Sequence, residues 1–223
     1  MEKHVVVIFP HPDDETFGTA GTIAEFRKQG VPVTYLCGTS GELGRNMGMP
    51  MVANRETLPQ IRKRELKNAC RVLDCELQML GYFDKTIEFE DRNEVAANLK
   101  GILEEMKPSL VITHYPGYAI HPDHNALGAA AIEAVRLMDQ KDRPKVWAQA
   151  INNNDMFTAE IGKPDVEKDI TPFIDIKLNA IESHESQAKG VLGYHKQEQQ
   201  EDWMETAKKN MGVESFYLWE FTD

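Results

Sequence analysis

The sequence is poor in the features that direct a chain to a membrane, to nucleic acid or to an oxidising compartment. No run approaches the roughly 20 apolar residues that a membrane span needs. Met1-Glu2-Lys3-His4 leads straight into a strand-like segment with no signal-peptide pattern. Basic residues are in deficit: 25 Lys and Arg face 36 Asp and Glu, a formal charge of −11. That balance argues against non-specific binding to nucleic acid or anionic lipid, where a basic field is expected. Cysteine is scarce and odd in number (Cys37, Cys70, Cys75), and no Cys-x-x-Cys occurs. Neither a disulfide framework nor a thiolate zinc site is supported, and buried reduced thiols in a cytoplasmic protein are expected. No Gly-x-Gly-x-x-Gly follows the first strand-like run, where Gly18 and Gly21 form only a partial pattern, and there is no Gly-x-Ser-x-Gly elbow. A dinucleotide site and a serine hydrolase are thereby disfavoured. Internal repeats and low-complexity stretches are also lacking.

What remains is a chain of 223 residues, 41% hydrophobic, suited to a single domain spanning 1–223 with one substantial core. Val5 to Phe9 is an unbroken apolar run, the mark of a strand buried on both faces. Further strands are expected at Val31–Cys37, Glu76–Leu80, Leu110–Thr113, Val146–Ile151 and Phe216–Phe221. Helices are expected at Thr19–Gln29, with Gly30 as its C-cap, at Arg55–Leu73, Glu94–Met106 and Asp123–Met138, near 175–189 and at 197–209. Residues 38–54, with four glycines and three methionines and little periodicity, read as a long surface loop. Alternating strands and helices imply an α/β, Rossmann-like, mainly parallel sheet with helices on both faces. Ligands of such sheets bind beyond the carboxyl ends of the strands.

Two motifs fall there. His11-Pro12-Asp13-Asp14-Glu15 follows the first strand and His121-Pro122-Asp123-His124 follows the fourth. Alone, either is as well explained as a turn or a helix cap. Together they bring three histidines and three aspartates from loops about 110 residues apart to one end of the sheet, which points to a divalent-metal site of the catalytic type, three His or carboxylate ligands with one open position. Asp13 and Asp14 are adjacent and cannot point the same way, so one can bind metal while the other faces a water. His121 and His124, three apart at a helix start, share a side, so one can be a ligand while the other faces substrate.

Pro10 to Glu15 resembles the Ala-His-Pro-Asp-Asp-Glu signature of the zinc-dependent N-acetylglucosaminyl deacetylases, the PIG-L or LmbE-like family, with Pro10 in place of the usual alanine. His121 to His124 resembles its second signature. Gly41-Glu42-x-Gly44, Arg62-x-x-Glu65, Gly81-Tyr82-Phe83-Asp84 and Lys177-x-x-Ala180-x-x-x-His184-x-Ser186-Gln187 extend the likeness over residues 5 to 187. The resemblance implies His11, Asp14 and His124 as metal ligands and Asp13 as general base. It implies His121 as oxyanion stabiliser or general acid, with Asp123 orienting it. Glu42, Arg62 and Asp84 match positions that contact the sugar or its aglycone, Arg62 being the expected anion contact. Tyr118 stands three residues before His121 where some relatives place a tyrosine two before, which puts a tyrosine acid in doubt. His114 is expected either to line the pocket or to be structural, and His184 to be a helix residue near the site.

The implied activity is a zinc-dependent hydrolase removing acetyl from a small amino-sugar conjugate. Among family subgroups the chain resembles the bacillithiol-pathway enzymes acting on N-acetylglucosaminyl-malate. The rivals are a deacetylase or amidase of another substrate, a thiol conjugate or a chitooligosaccharide, and a non-catalytic sugar- or nucleotide-binding module. Iron, manganese or cobalt also suits the donor set. The resemblance further implies a homo-oligomer, with no nucleic-acid or membrane partner.

Overall fold

The computed structural model describes residues 2–151, 159–187 and 203–222. Seven strands, β1 (Val5–Phe9), β2 (Val33–Cys37), β3 (Glu76–Met79), β4 (Leu110–His114), β5 (Lys145–Gln149), β6 (Val166–Asp169) and β7 (Val213–Leu218), form one sheet in the order β3-β2-β1-β4-β5-β7-β6. The first five in chain order are parallel, and β7 and β6 close the edge antiparallel. Mainly parallel is therefore right. Among the described residues β6 is the strand that went unanticipated: Val166-Glu167-Lys168-Asp169 is charged, short and at an edge, so its pairing with β7 decides its conformation where side-chain pattern does not. The last strand begins three residues earlier than expected, at Val213.

Helices among the described residues include α1 (Asp14–Gly18), α2 (Ala20–Lys28), α3 (Leu58–Leu73), α4 (Arg92–Met106), α5 (Pro122–Arg136), α6 (Ile174–Glu182) and α7 (Trp203–Met211). The expected helix at Thr19–Gln29 is α2, with Gly30 at φ 77° just beyond it, and Thr19 separates it from the unforeseen single turn α1. The helix expected near 175–189 ends at Glu182, and its residues 188 and 189 lie outside the described residues, as do 197–202 of the next. No described helix is long and apolar enough to cross a membrane.

The unbroken apolar run of β1 has a direct cause. Val5, Val7 and Phe9 pack with Ile23 and Phe26 of α2, Leu66 and Leu73 of α3 and Ala180 of α6. Val6 and Ile8 face the other way, onto Leu99 and Leu103 of α4 and Ala131 and Val135 of α5. Each such side chain contributes roughly 1.5–3 kcal/mol by burial, so β1 is fixed by both layers. Connections leave β1 toward β2 on one side and return through β4 on the other, which makes the carboxyl ends of β1 and β4 the topological switch point.

Candidate metal centre

Both motifs stand at that switch point. The chain leaves β1 at Phe9 and turns into α1, placing His11, Asp13 and Asp14 in four residues. Beyond β4 the chain reaches α5 with His121 at its N-cap and Pro122 in its first turn, where a missing N–H costs nothing. His11 Nδ1 lies 3.1 Å from His124 Nε2 and 3.4 Å from Asp14 Oδ2, and His124 Nε2 lies 3.2 Å from Asp14 Oδ1. Donor atoms of His11, Asp14 and His124 thus converge within 4.8 Å, and all three residues are largely withdrawn from solvent.

The surroundings set each donor. His124 Nδ1 is 3.0 Å from the Ala119 carbonyl, so that nitrogen carries the proton and Nε2 keeps its lone pair for a cation. Asp84 Oδ1 and Asp123 Oδ2 stand 3.2 and 3.4 Å from His11 Nε2, close but poorly aligned for a full hydrogen bond, and draw the proton to that side. Burial opposes a charged His11, but Asp123, Asp14 and Asp84 outweigh it and raise its pKa well above the ordinary value. Burial likewise works against an ionised Asp14, yet His124 and His11 hold its carboxyl well below the usual range. Without a metal, His11 and its proton supply the positive charge that these carboxylates demand. A divalent cation would take that place as the proton leaves Nδ1. The donor set fits a catalytic zinc site of two histidines and one carboxylate.

Beneath the donors lies His114, buried and stacked 4.1 Å from both the Phe9 and His124 rings. Burial, chiefly, lowers its pKa well below the ordinary histidine value, so it is a neutral platform and is not among the residues lining the cavity over the centre.

Asp13 does not join the donors. Its backbone lies at φ 132°, ψ −24°, a region that a non-glycine residue rarely adopts. Arg62 Nη2 donates to Asp13 Oδ2 at 2.9 Å and to the Pro12 carbonyl at 2.5 Å, and Nη1 donates to the Gly41 carbonyl at 3.1 Å. Burial pushes the Asp13 carboxyl up to about 6, with Arg62 pulling it down and Asp14 adding repulsion. That value suits a group that must take a proton near neutral pH and return it.

Other residues sit differently from expectation. Arg62, expected as an anion contact, is only 3% exposed and binds Asp13 and two carbonyls while also lining the cavity over the centre, so the contact the structure shows for it is the clamp on Asp13. Asp123 does not orient His121 through its carboxylate. Oδ2 accepts from the Lys85 backbone N–H at 2.7 Å and faces His11, while Oδ1 is buried without a partner. It is the Asp123 backbone N–H that donates to His121 Nδ1, at 3.1 Å, which leaves the ring proton of a neutral His121 on Nε2. Burial and the positive charge at His11 lower the His121 pKa. Asp84 accepts from the Leu43 N–H, and Glu42 accepts from the Asp84 N–H at 3.1 Å, which holds Asp84 beside His11 in the lining of the cavity. The Tyr118 hydroxyl donates to Glu160.

A cavity of about 470 Å³ opens over the centre, lined by His11, Asp13, His121 and His124 on its floor and by Arg45, Lys85 and Gln187 among its walls. Arg45 is exposed and makes no hydrogen bond or ion pair among the described residues, whereas Lys85 Nζ donates to the Leu43 carbonyl. Arg45 went unnoticed because it is one basic residue in an irregular loop. Glu15 stood inside the first motif and His184 inside the last without an assigned task, and both prove fully buried and paired at 2.7 Å.

Comparison with known proteins places the chain among sugar deacetylases in sequence and in fold. The chain is 50% identical over 193 residues, 86% of its length and 87% of the relative's, to the "Probable N-acetyl-alpha-D-glucosaminyl L-malate deacetylase 2" of Bacillus cereus. A protein of the same description from Bacillus anthracis is 43% identical over all 223 residues, covering 97% of that relative. Among solved structures, the N,N'-diacetylchitobiose deacetylase of Pyrococcus horikoshii superposes with a TM-score of 0.74 at 27% identity, covering 98% of this chain and 84% of that one. Residues 6–135, which carry β1 through most of α5 and every residue of the convergent donor set, match the family described as PIG-L: GlcNAc-PI de-N-acetylase, and the chain belongs to that family.

Proposed function

We propose that this protein is a zinc-dependent deacetylase that removes the acetyl group from N-acetylglucosaminyl-malate, as its Bacillus relatives are described to do. The observation that carries the reading is Asp13: a carboxylate in an unfavourable backbone conformation, clamped by Arg62 on the cavity floor beside the donors and not one of them. A binding module has no need of it.

His11, Asp14 and His124 would hold the cation. Bound there, a divalent metal supplies Lewis acidity, making a water nucleophilic at neutral pH and polarising the amide carbonyl. Asp13 accepts the proton of the attacking water, and its burial, which raises its affinity for a proton, helps it to hold that proton until it passes to the leaving amine. His121 lines the cavity with its Nδ1 taken by the Asp123 N–H, so its Nε2–H is the donor left for the oxyanion that develops on the acetyl oxygen, a contact worth about 3–4 kcal/mol in comparable sites. Arg62 fixes where the Asp13 carboxylate points. Arg45 meets the malate carboxylates, since its charge-bearing fork lies at the wall of the same cavity without a partner among the described residues.

The test is acetate release by metal-reconstituted protein from N-acetylglucosaminyl-malate, a neutral N-acetylglucosamine glycoside and diacetylchitobiose. Chelator-sensitive turnover is expected on all that fit, with kcat/KM highest for the malate conjugate. No acetate from any of them refutes the activity. A preference for diacetylchitobiose refutes the substrate.

A further inference from the structure

Glu15 and His184 contribute nothing to the donor set, yet they form a fully buried polar pair joining the two ends of the described fold. Glu15 Oε1 lies 2.7 Å from His184 Nε2, and both residues are at 0% exposure. The other oxygen, Glu15 Oε2, accepts the backbone N–H of Asp13 at 3.0 Å. We infer that the Glu15–His184 pair is the positioning device that holds Asp13 in its catalytic conformation. The inference rests on the reading of Asp13 as the base.

The argument begins with the backbone. At φ 132° Asp13 sits where a residue with a Cβ persists only if its neighbours over-determine it. Three sets of contacts do so. Thr16 and Phe17 N–H groups cap its carbonyl, Arg62 fixes its carboxylate, and Glu15 takes its N–H. Of these, the Glu15 contact can swing, because a carboxylate on a three-torsion side chain has no fixed direction of its own. His184 fixes it by binding the opposite oxygen.

His184 is itself immobilised. Its N–H donates to the Ile181 carbonyl at the end of α6, and its carbonyl accepts from Gln187. Ser186 donates to Glu65 through both N–H and Oγ, at 2.7 and 2.6 Å, tying this segment to α3, the helix that carries Arg62. Lys177 of α6 pairs in a buried site with Glu214 of β7 at 2.8 Å and donates to the Phe17 carbonyl. The C-terminal motif, whose purpose the sequence left open, thus reaches Asp13 through one intermediary.

The experiment uses the full, metal-reconstituted chain. His184→Leu removes the donor; His184→Gln restores an amide N–H that can reach Glu15. With Leu, metal content is expected to stay at the wild-type level, KM to move less than about twofold, and kcat to fall about 100-fold, the scale set by a misplacement on the order of 1 Å. The Asp13 backbone amide, followed by hydrogen exchange, should lose its protection. Gln should recover most of the rate and the protection. If Leu does not fold, His184→Asn, whose shorter amide stops short of Glu15, takes its place. An Asp13 amide that stays protected overturns the inference even if the wild type acts on none of the three substrates. So does a metal-loaded, folded Leu or Asn variant that turns over at the wild-type rate on whichever conjugate is cleaved.

Discussion

Asp13→Asn keeps the shape of the side chain and removes its charge, and the structure assigns opposite signs to the two consequences. The carboxyl is raised from 3.8 to about 6, chiefly by burial, even with Arg62 2.9 Å away. Two units at about 1.4 kcal/mol each mean that an ionised Asp13 costs the metal-free fold about 3 kcal/mol. The neutral amide escapes that cost and can still accept from Arg62 through its oxygen. Metal-free Asp13→Asn is therefore expected to melt several degrees above wild type at pH 8, since about 1 kcal/mol moves the midpoint of a chain this long by about 2–4 °C. The gain has a defined pH window. Below about pH 4 Asp13 is protonated in both folded and unfolded wild type, and the two proteins should melt together. The difference opens as pH rises above about 4 and is fully developed once pH passes about 6. Catalysis goes the other way: with metal loaded, kcat should drop about 10²–10⁴-fold, the usual contribution of a positioned base, while KM barely moves. Calorimetry from pH 4 to 8 and acetate release read the two arms. A variant less stable than wild type across that range refutes the electrostatic reasoning, and one with wild-type kcat removes Asp13 from the chemistry.

Three further outcomes are expected. His124→Ala should lose most bound metal and activity together, measured by metal analysis beside turnover; full metal content would overturn the ligand assignment. Arg45→Ala should raise KM for the malate conjugate more than for a neutral glycoside, by about 10- to 100-fold for a charge-assisted contact of 1.5–3 kcal/mol, and equal effects on both would exclude Arg45 from anion recognition. Gly41→Ala should lower kcat with metal retained. Gly41 lies at φ 63° and an added Cβ would collide with the Arg62 guanidinium, so an unaffected rate would show that the clamp on Asp13 is dispensable.

The central strands and both motifs were legible because their signals are local: an apolar run with no alternation needs two covering layers, and a His-Pro-Asp turn after such a run lands at the sheet's open end. Arg62 was placed at the site, but its partner was not. In Arg62-Lys63-Arg64 three basic residues look alike, yet one turns inward because Asp13 and two carbonyls await it, while Lys63 and Arg64 stay exposed. Spacing alone could not tell which charge is spent inside the protein and which is left for a ligand. Asp123 shows a related limit. Its neighbour in sequence is His121, but the N-cap geometry of α5 gives His121 the backbone amide and frees the carboxylate for His11 and Lys85. Strand β6 escaped because its four residues carry three charges, and only the partner β7 reveals it.

The distance in sequence between the donors and their distant support has a consequence for how the protein matures. His11, Asp14 and His124 are all made by the time residue 124 has been synthesised, whereas His184 follows some sixty residues later. A chain synthesised as far as α5 carries every donor of the candidate cation site but not yet His184, the partner of Glu15. Cation holding and base positioning are thus written into different stretches of the polypeptide: the first motifs carry the grip, and the steadying of Asp13 waits on a segment that the chain supplies only near its end.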